Sequence, residues 1–65
     1  MKLKLIKKLD AIFNSKQKTY NELQKQYDNE SEKYRKEAIA AQQWINIGYR
    51  MAIDDIVDII AKEEE

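Results

Sequence analysis

A chain of 65 residues with no cysteine, no histidine and no proline has no disulfide framework. The usual zinc, haem and iron–sulfur sites lack their ligands, and Cys and His nucleophiles and bases are absent too. Twelve basic and twelve acidic side chains cancel, so no global field draws the molecule to nucleic acid or to a membrane. The 43% hydrophobic and 37% charged residues suit one small helical domain spanning residues 1–65, in the size range where a lone core is marginal and association makes up the deficit.

The start of the chain, Met1 to Phe13, has the basic opening of a signal peptide, but Lys7, Lys8 and Asp10 interrupt any apolar run. It reads as mature chain, and with no cysteine a cytoplasmic location is the expectation. The same segment places Lys2, Lys4, Lys7 and Lys8 around Leu5, Ile6, Leu9, Ile12 and Phe13, a pattern that can lie on an anionic membrane surface. That reading is the weaker one, because the apolar face is needed elsewhere.

Ile6, Phe13, Tyr20, Tyr27 and Tyr34 recur at seven-residue spacing, with Leu9, Lys16, Leu23 and Glu30 forming a second lane three residues on. Such spacing keeps one stripe on the same side of a helix over many turns, so it must pack against another helix. In the second half the lanes are Ala38, Ile45, Ala52 and Ile59, with Gln42, Tyr49 and Ile56 beside them, out of phase with the first set. The phase change falls around Asp28-Asn29-Glu30-Ser31-Glu32, rich in turn and cap formers, where Asn29 and Glu32 match a capping box.

The expected fold is all-α: an antiparallel hairpin of helices near 3–28 and 32–62, assembling as a homodimeric helical bundle. The competing architecture is one unbroken coiled-coil helix, about 90 Å long at 1.5 Å per residue, since Tyr34 still obeys the first lane and neither Gly nor Pro marks a turn. A break at Asn14-Ser15 would make three helices. The alternation Ile45, Ile47, Tyr49, Met51, Ile53 could be a strand but lacks a partner. A register in which paired residue numbers sum to 65 sets Ile6 by Ile59, Leu9 by Ile56, Phe13 by Ala52, Tyr20 by Ile45 and Tyr27 by Ala38, with Lys7 by Asp58 and Lys2 by Glu63. The oligomer core expected from these lanes is Ile6, Leu9, Phe13, Tyr20, Leu23, Tyr27, Ala38, Ile45, Tyr49, Ala52, Ile56 and Ile59.

Apolar residues are left over in the second half. These are Trp44, Ile47, Met51, Val57 and Ile60, of which Trp44, Ile47 and Met51 follow three- and four-residue spacing and form a second stripe, either closing a homodimeric four-helix bundle or serving as the partner-binding site with Trp44 as its anchor. Gly48, with Ala38, Ala40, Ala41 and Ala52, would let another backbone approach closely. The carboxylates Asp54, Asp55 and Asp58 read as a solvated face rather than an oxygen-only cation site, and Glu63-Glu64-Glu65 as a solubilising tail. No catalytic residue, cofactor or metal ligand is expected. The functional expectation is a non-catalytic module that oligomerises and binds a larger protein to modulate or inhibit it. The alternatives are a purely structural coiled coil and a helical bundle using its lysines on nucleic-acid phosphates.

Overall fold

With no proline and one glycine, little in this chain interrupts helix, and the computed structural model, which describes residues 2–63, contains two helices. The first, α1, is Lys2–Asn29 and the second, α2, is Lys33–Glu63. They pack against each other as an antiparallel hairpin with Cα extents of 50 × 14 × 11 Å. Glu63 closes α2, while Glu64 and Glu65 of the acidic tail and Met1 lie outside the described residues.

The unbroken helix is thereby replaced by a turn at Glu30-Ser31-Glu32. Among the described residues no non-glycine has positive φ and no peptide bond is cis, so this turn needs neither glycine nor proline. The Glu30 amide donates to the Tyr27 carbonyl at 3.3 Å, and the Glu30 carboxylate accepts from the Glu32 amide at 3.2 Å. The Lys36 amide then donates to the Glu32 carbonyl at 3.0 Å, and Arg35 pairs with Glu32 at 3.4 Å. The expected capping box is thus displaced: Asn29 is the last residue of α1, and Glu30 supplies the side-chain acceptor at the turn.

The first-half lanes form the seam from α1. Ile6, Leu9, Phe13, Lys16, Tyr20, Tyr27 and Glu30 are partly covered and Leu23 is buried, whereas Tyr34, beyond the turn, is 81% exposed and leaves the lane. From α2 the seam is built by Lys36, Ile39, Gln43, Asn46, Ile47, Arg50, Ile53, Val57 and Ile60. This differs from the expected intrachain pairing. Ala38, Ile45, Tyr49, Ala52, Ile56 and Ile59 are exposed, and the residue following each of them, or a near neighbour, faces α1 instead. The antiparallel register itself lies close to the expected one: Lys16 meets Asn46 and Tyr49, Gln24 meets Gln43, and Tyr27 meets Lys36. What changed is the rotation of α2 about its own axis by roughly one residue, about 100°.

Polar layers account for the rotation. Lys16 interrupts the apolar lane of α1, and the aromatic lane offers ring faces that cations can cover. Asn46 Nδ2 donates to the Lys16 carbonyl at 2.8 Å, Arg50 Nε donates to Asn46 Oδ1 at 2.9 Å, and Gln43 Nε2 donates to Gln24 Oε1 at 2.9 Å. The Arg50 guanidinium lies 5.0 Å from the Tyr20 ring centre and 5.8 Å from that of Phe13, and Lys36 Nζ stands 4.7 Å from that of Tyr27. Phe13, Tyr20 and Tyr27 therefore meet cations rather than Ala52, Ile45 and Ala38. The long Arg and Lys stems cover the rings while their charged heads reach towards water. Neither Lys7–Asp58 nor Lys2–Glu63 forms an ion pair among the described residues. Only Leu23 and Ile53, at 8% and 5% exposure, make a buried apolar core there.

Candidate interaction surface

The rotation of α2 decides what the molecule presents to its surroundings. Gln43 and Asn46 are buried against α1, at 8% and 7% exposure, while Trp44, Ile45, Tyr49, Met51, Ile56 and Ile59 are exposed. A surface helix ordinarily buries its apolar stripe and exposes its polar one. In its middle turns α2 does the reverse.

The exposed apolar residues fall on two flanks. Each lies one residue from the inward lane Gln43, Arg50 and Val57, about 100° around the helix: Gln42, Tyr49 and Ile56 to one side, Trp44, Met51 and Asp58 to the other. On the first flank Leu9, Ile12, Tyr49, Ala52, Ile53 and Ile56 line an open apolar groove of about 190 Å³ between the helices. Leu5, one heptad before Ile12, and Ile45 and Ile59, one heptad either side of Ala52, extend the same surface. Lys16 Nζ borders it, 4.6 Å from the centre of the Tyr49 ring.

The second flank carries the sequence-derived stripe. Ile47 is partly covered at the seam, whereas Trp44 and Met51 project beyond it at 73% and 63% exposure. Trp44, Ile47 and Met51 therefore form a strip climbing from the seam to solvent, flanked by Glu37 and Asp58 one heptad out on either side. Gly48 sits away from α1, and a Cβ built there meets nothing within 4 Å, so no contact inside the hairpin calls for a glycine. Asp54, Asp55 and Asp58 are exposed, and no group of three or more His, Cys, Asp or Glu able to hold a metal occurs among the described residues.

The seam residues that periodicity missed, Gln43, Asn46 and Arg50, are polar and so do not register as a core lane. The signal that could have found them is the spacing Ile39, Gln43, Asn46, Arg50, Ile53, Val57, Ile60, which alternates fours and threes without a break. No helix is long and apolar enough to cross a membrane among the described residues. Comparisons with protein-family models, curated proteins and solved structures find no match.

Proposed function

We propose that this protein is a non-catalytic helical interaction module, which assembles as a homodimeric bundle and binds a larger protein to modulate or inhibit it. The observation that carries the reading is the inverted α2: polar Gln43 and Asn46 inside, with Trp44, Ile45, Tyr49, Met51, Ile56 and Ile59 exposed outside. Contiguous apolar surface beyond a few hundred Å² on a small protein marks an interaction site. The two flanks divide the work. The grooved flank, continuous across both helices, suits self-association, and the narrow Trp44, Ile47, Met51 strip suits a groove on another protein, with Trp44 as anchor.

The test is comparative affinity purification from the native cell with wild-type and Trp44→Ala baits. The reading expects one stoichiometric protein on the wild type that is lost from the variant, while the variant keeps its helical circular dichroism and its self-association. Identical captures by both baits would refute the assigned strip, and a bait that carries only itself would favour a purely self-assembling coiled coil.

A further inference from the structure

We infer that the grooved flank is filled by a second copy of this chain, stacked so that the two open ends lie together and α1 of each copy runs beside α2 of the other. The inference rests on the self-association proposed above and specifies its face and orientation. Leu5, Ile12, Ile45, Tyr49, Ile56 and Ile59 are between 42% and 71% exposed. Leaving on the order of 100 Å² each uncovered, they offer about 600 Å² per copy and about 1,200 Å² for a pair, the lower end of a stable specific interface. The groove of about 190 Å³ is too small for a helix and has room for one large side chain. That suits a knob from a facing flank, as in bundle packing.

Orientation follows from where the apolar residues stop. Leu5, Ile12, Ile56 and Ile59 lie in the half of the flank nearer the chain termini, Ile45 and Tyr49 lie either side of the α2 midpoint, and the same lanes nearer the turn carry Thr19, Gln26, Ala38 and Gln42. Stacking with opposite ends together would set the apolar half of one copy on the polar half of the other. Stacking with open ends together sets apolar on apolar, and a twofold axis along the helices then makes every neighbouring pair antiparallel.

Charge favours the same arrangement. Lys4 and Lys8 at the start of α1 would come beside Asp55 and Glu63 near the end of α2 of the second copy. All four are exposed, and none forms an ion pair within the hairpin among the described residues. Such surface charges select an orientation more than they add affinity.

The cysteine-free chain allows a direct test. The full chain carrying Leu3→Cys, on the opposite flank at 64% exposure, is spin-labelled, and label-to-label distances are measured by pulsed electron resonance at a concentration where sedimentation equilibrium gives the dimer. Helix axes 8–10 Å apart predict a distance of about 20–30 Å. Opposite stacking of hairpins 50 Å long predicts a separation beyond about 40 Å. In parallel, Ile56→Glu should weaken dimerisation by on the order of tenfold or more, while Trp44→Ala leaves it unchanged. Distances beyond 40 Å, or a dimer indifferent to Ile56→Glu, would overturn this face and orientation while leaving self-association standing. A helical monomer at every concentration would overturn both. The distance measurement keeps the flank intact and so does not depend on whether the glutamate variant folds.

Discussion

Asn46 is the residue on which the hairpin's polar seam turns, and its replacement separates two contributions that apolar packing alone would not distinguish. At 7% exposure it donates to the Lys16 carbonyl at 2.8 Å and accepts from Arg50 Nε at 2.9 Å, tying α1 to the cation that covers Phe13 and Tyr20. Asn46→Ala removes both bonds. A neutral bond contributes about 0.5–1.5 kcal/mol net and one to a charged group about 1.5–3. The Lys16 carbonyl keeps its own helical N–H, and Arg50 is only partly covered, so the total falls near the lower ends, about 1–3 kcal/mol. In a domain of this size that is a fall of roughly 4–20 °C in melting temperature. Asn46→Leu loses the same two bonds but returns an apolar side chain of similar volume to the seam beside Ile47 and Ile53, so it should melt at or above the wild type. Its expected cost is uniqueness of register, seen as reduced amide dispersion by nuclear magnetic resonance. Thermal circular dichroism at one fixed protein concentration is the assay, because the proposed association would make the midpoint concentration-dependent. The reasoning fails if Asn46→Ala melts with the wild type, or if Asn46→Leu melts below Asn46→Ala.

Loop insertion and Gly48 probe the turn and the body of α2 separately. Inserting Gly-Gly after Ser31, in the surface turn, should lower the melting temperature by only a few degrees, since lengthening a loop adds a fraction of a kcal/mol of closure entropy. The same insertion after Ala40 should abolish cooperative melting, because it costs about 2 kcal/mol in propensity and turns one half of α2 against the other. Gly48→Ala adds a Cβ that meets nothing within the hairpin and removes a helix-interior glycine. It should therefore stabilise by about 1 kcal/mol, and a fall in melting temperature at dimer-forming concentration would mean that something outside the hairpin packs against that glycine.

The parts of the fold legible in the sequence were those where one periodic lane had no rival. In α1 the lane Ile6, Phe13, Tyr20, Tyr27 with Leu9 and Leu23 is the only long apolar series, and it faces α2 throughout. The turn was legible from the cluster of polar residues at 28–32 and from the phase change across it, although the acceptor is Glu30 rather than Asn29. In α2 two series compete. Ala38, Ile45, Ala52 and Ile59 with Tyr49 and Ile56 make the more regular apolar pattern, and they lie outside. The inward series includes Gln43, Asn46 and Arg50, which a hydrophobic count passes over. Periodicity measures where apolar residues align, but the choice between two aligned faces depends on which one satisfies the partner helix. Here that partner presents Lys16 and aromatic ring faces.

The polar seam and the apolar exterior are therefore one fact seen from two sides. A hairpin held by Gln24–Gln43, by the Lys16–Asn46–Arg50 chain and by cations over aromatic rings has specified its register at modest net stability, since such bonds largely exchange for bonds to water. Its larger reserve of burial, the side chains of Leu5, Ile12, Ile45, Tyr49, Ile56 and Ile59, is not used within the chain. Covering that surface would recover about 25 cal/mol for each Å² of apolar area, so an interface of about 1,200 Å² in all, half from each chain, would add to the burial of Leu23, Ile53 and the partly covered seam residues such as Phe13, Tyr20, Ile39, Ile47, Val57 and Ile60. Part of that gain is offset by the lost freedom of the two chains. On this physical argument the intramolecular contacts set which helix faces which. In the proposed assembly the grooved flank would add its burial to that of the seam, so the melting temperature should rise with protein concentration.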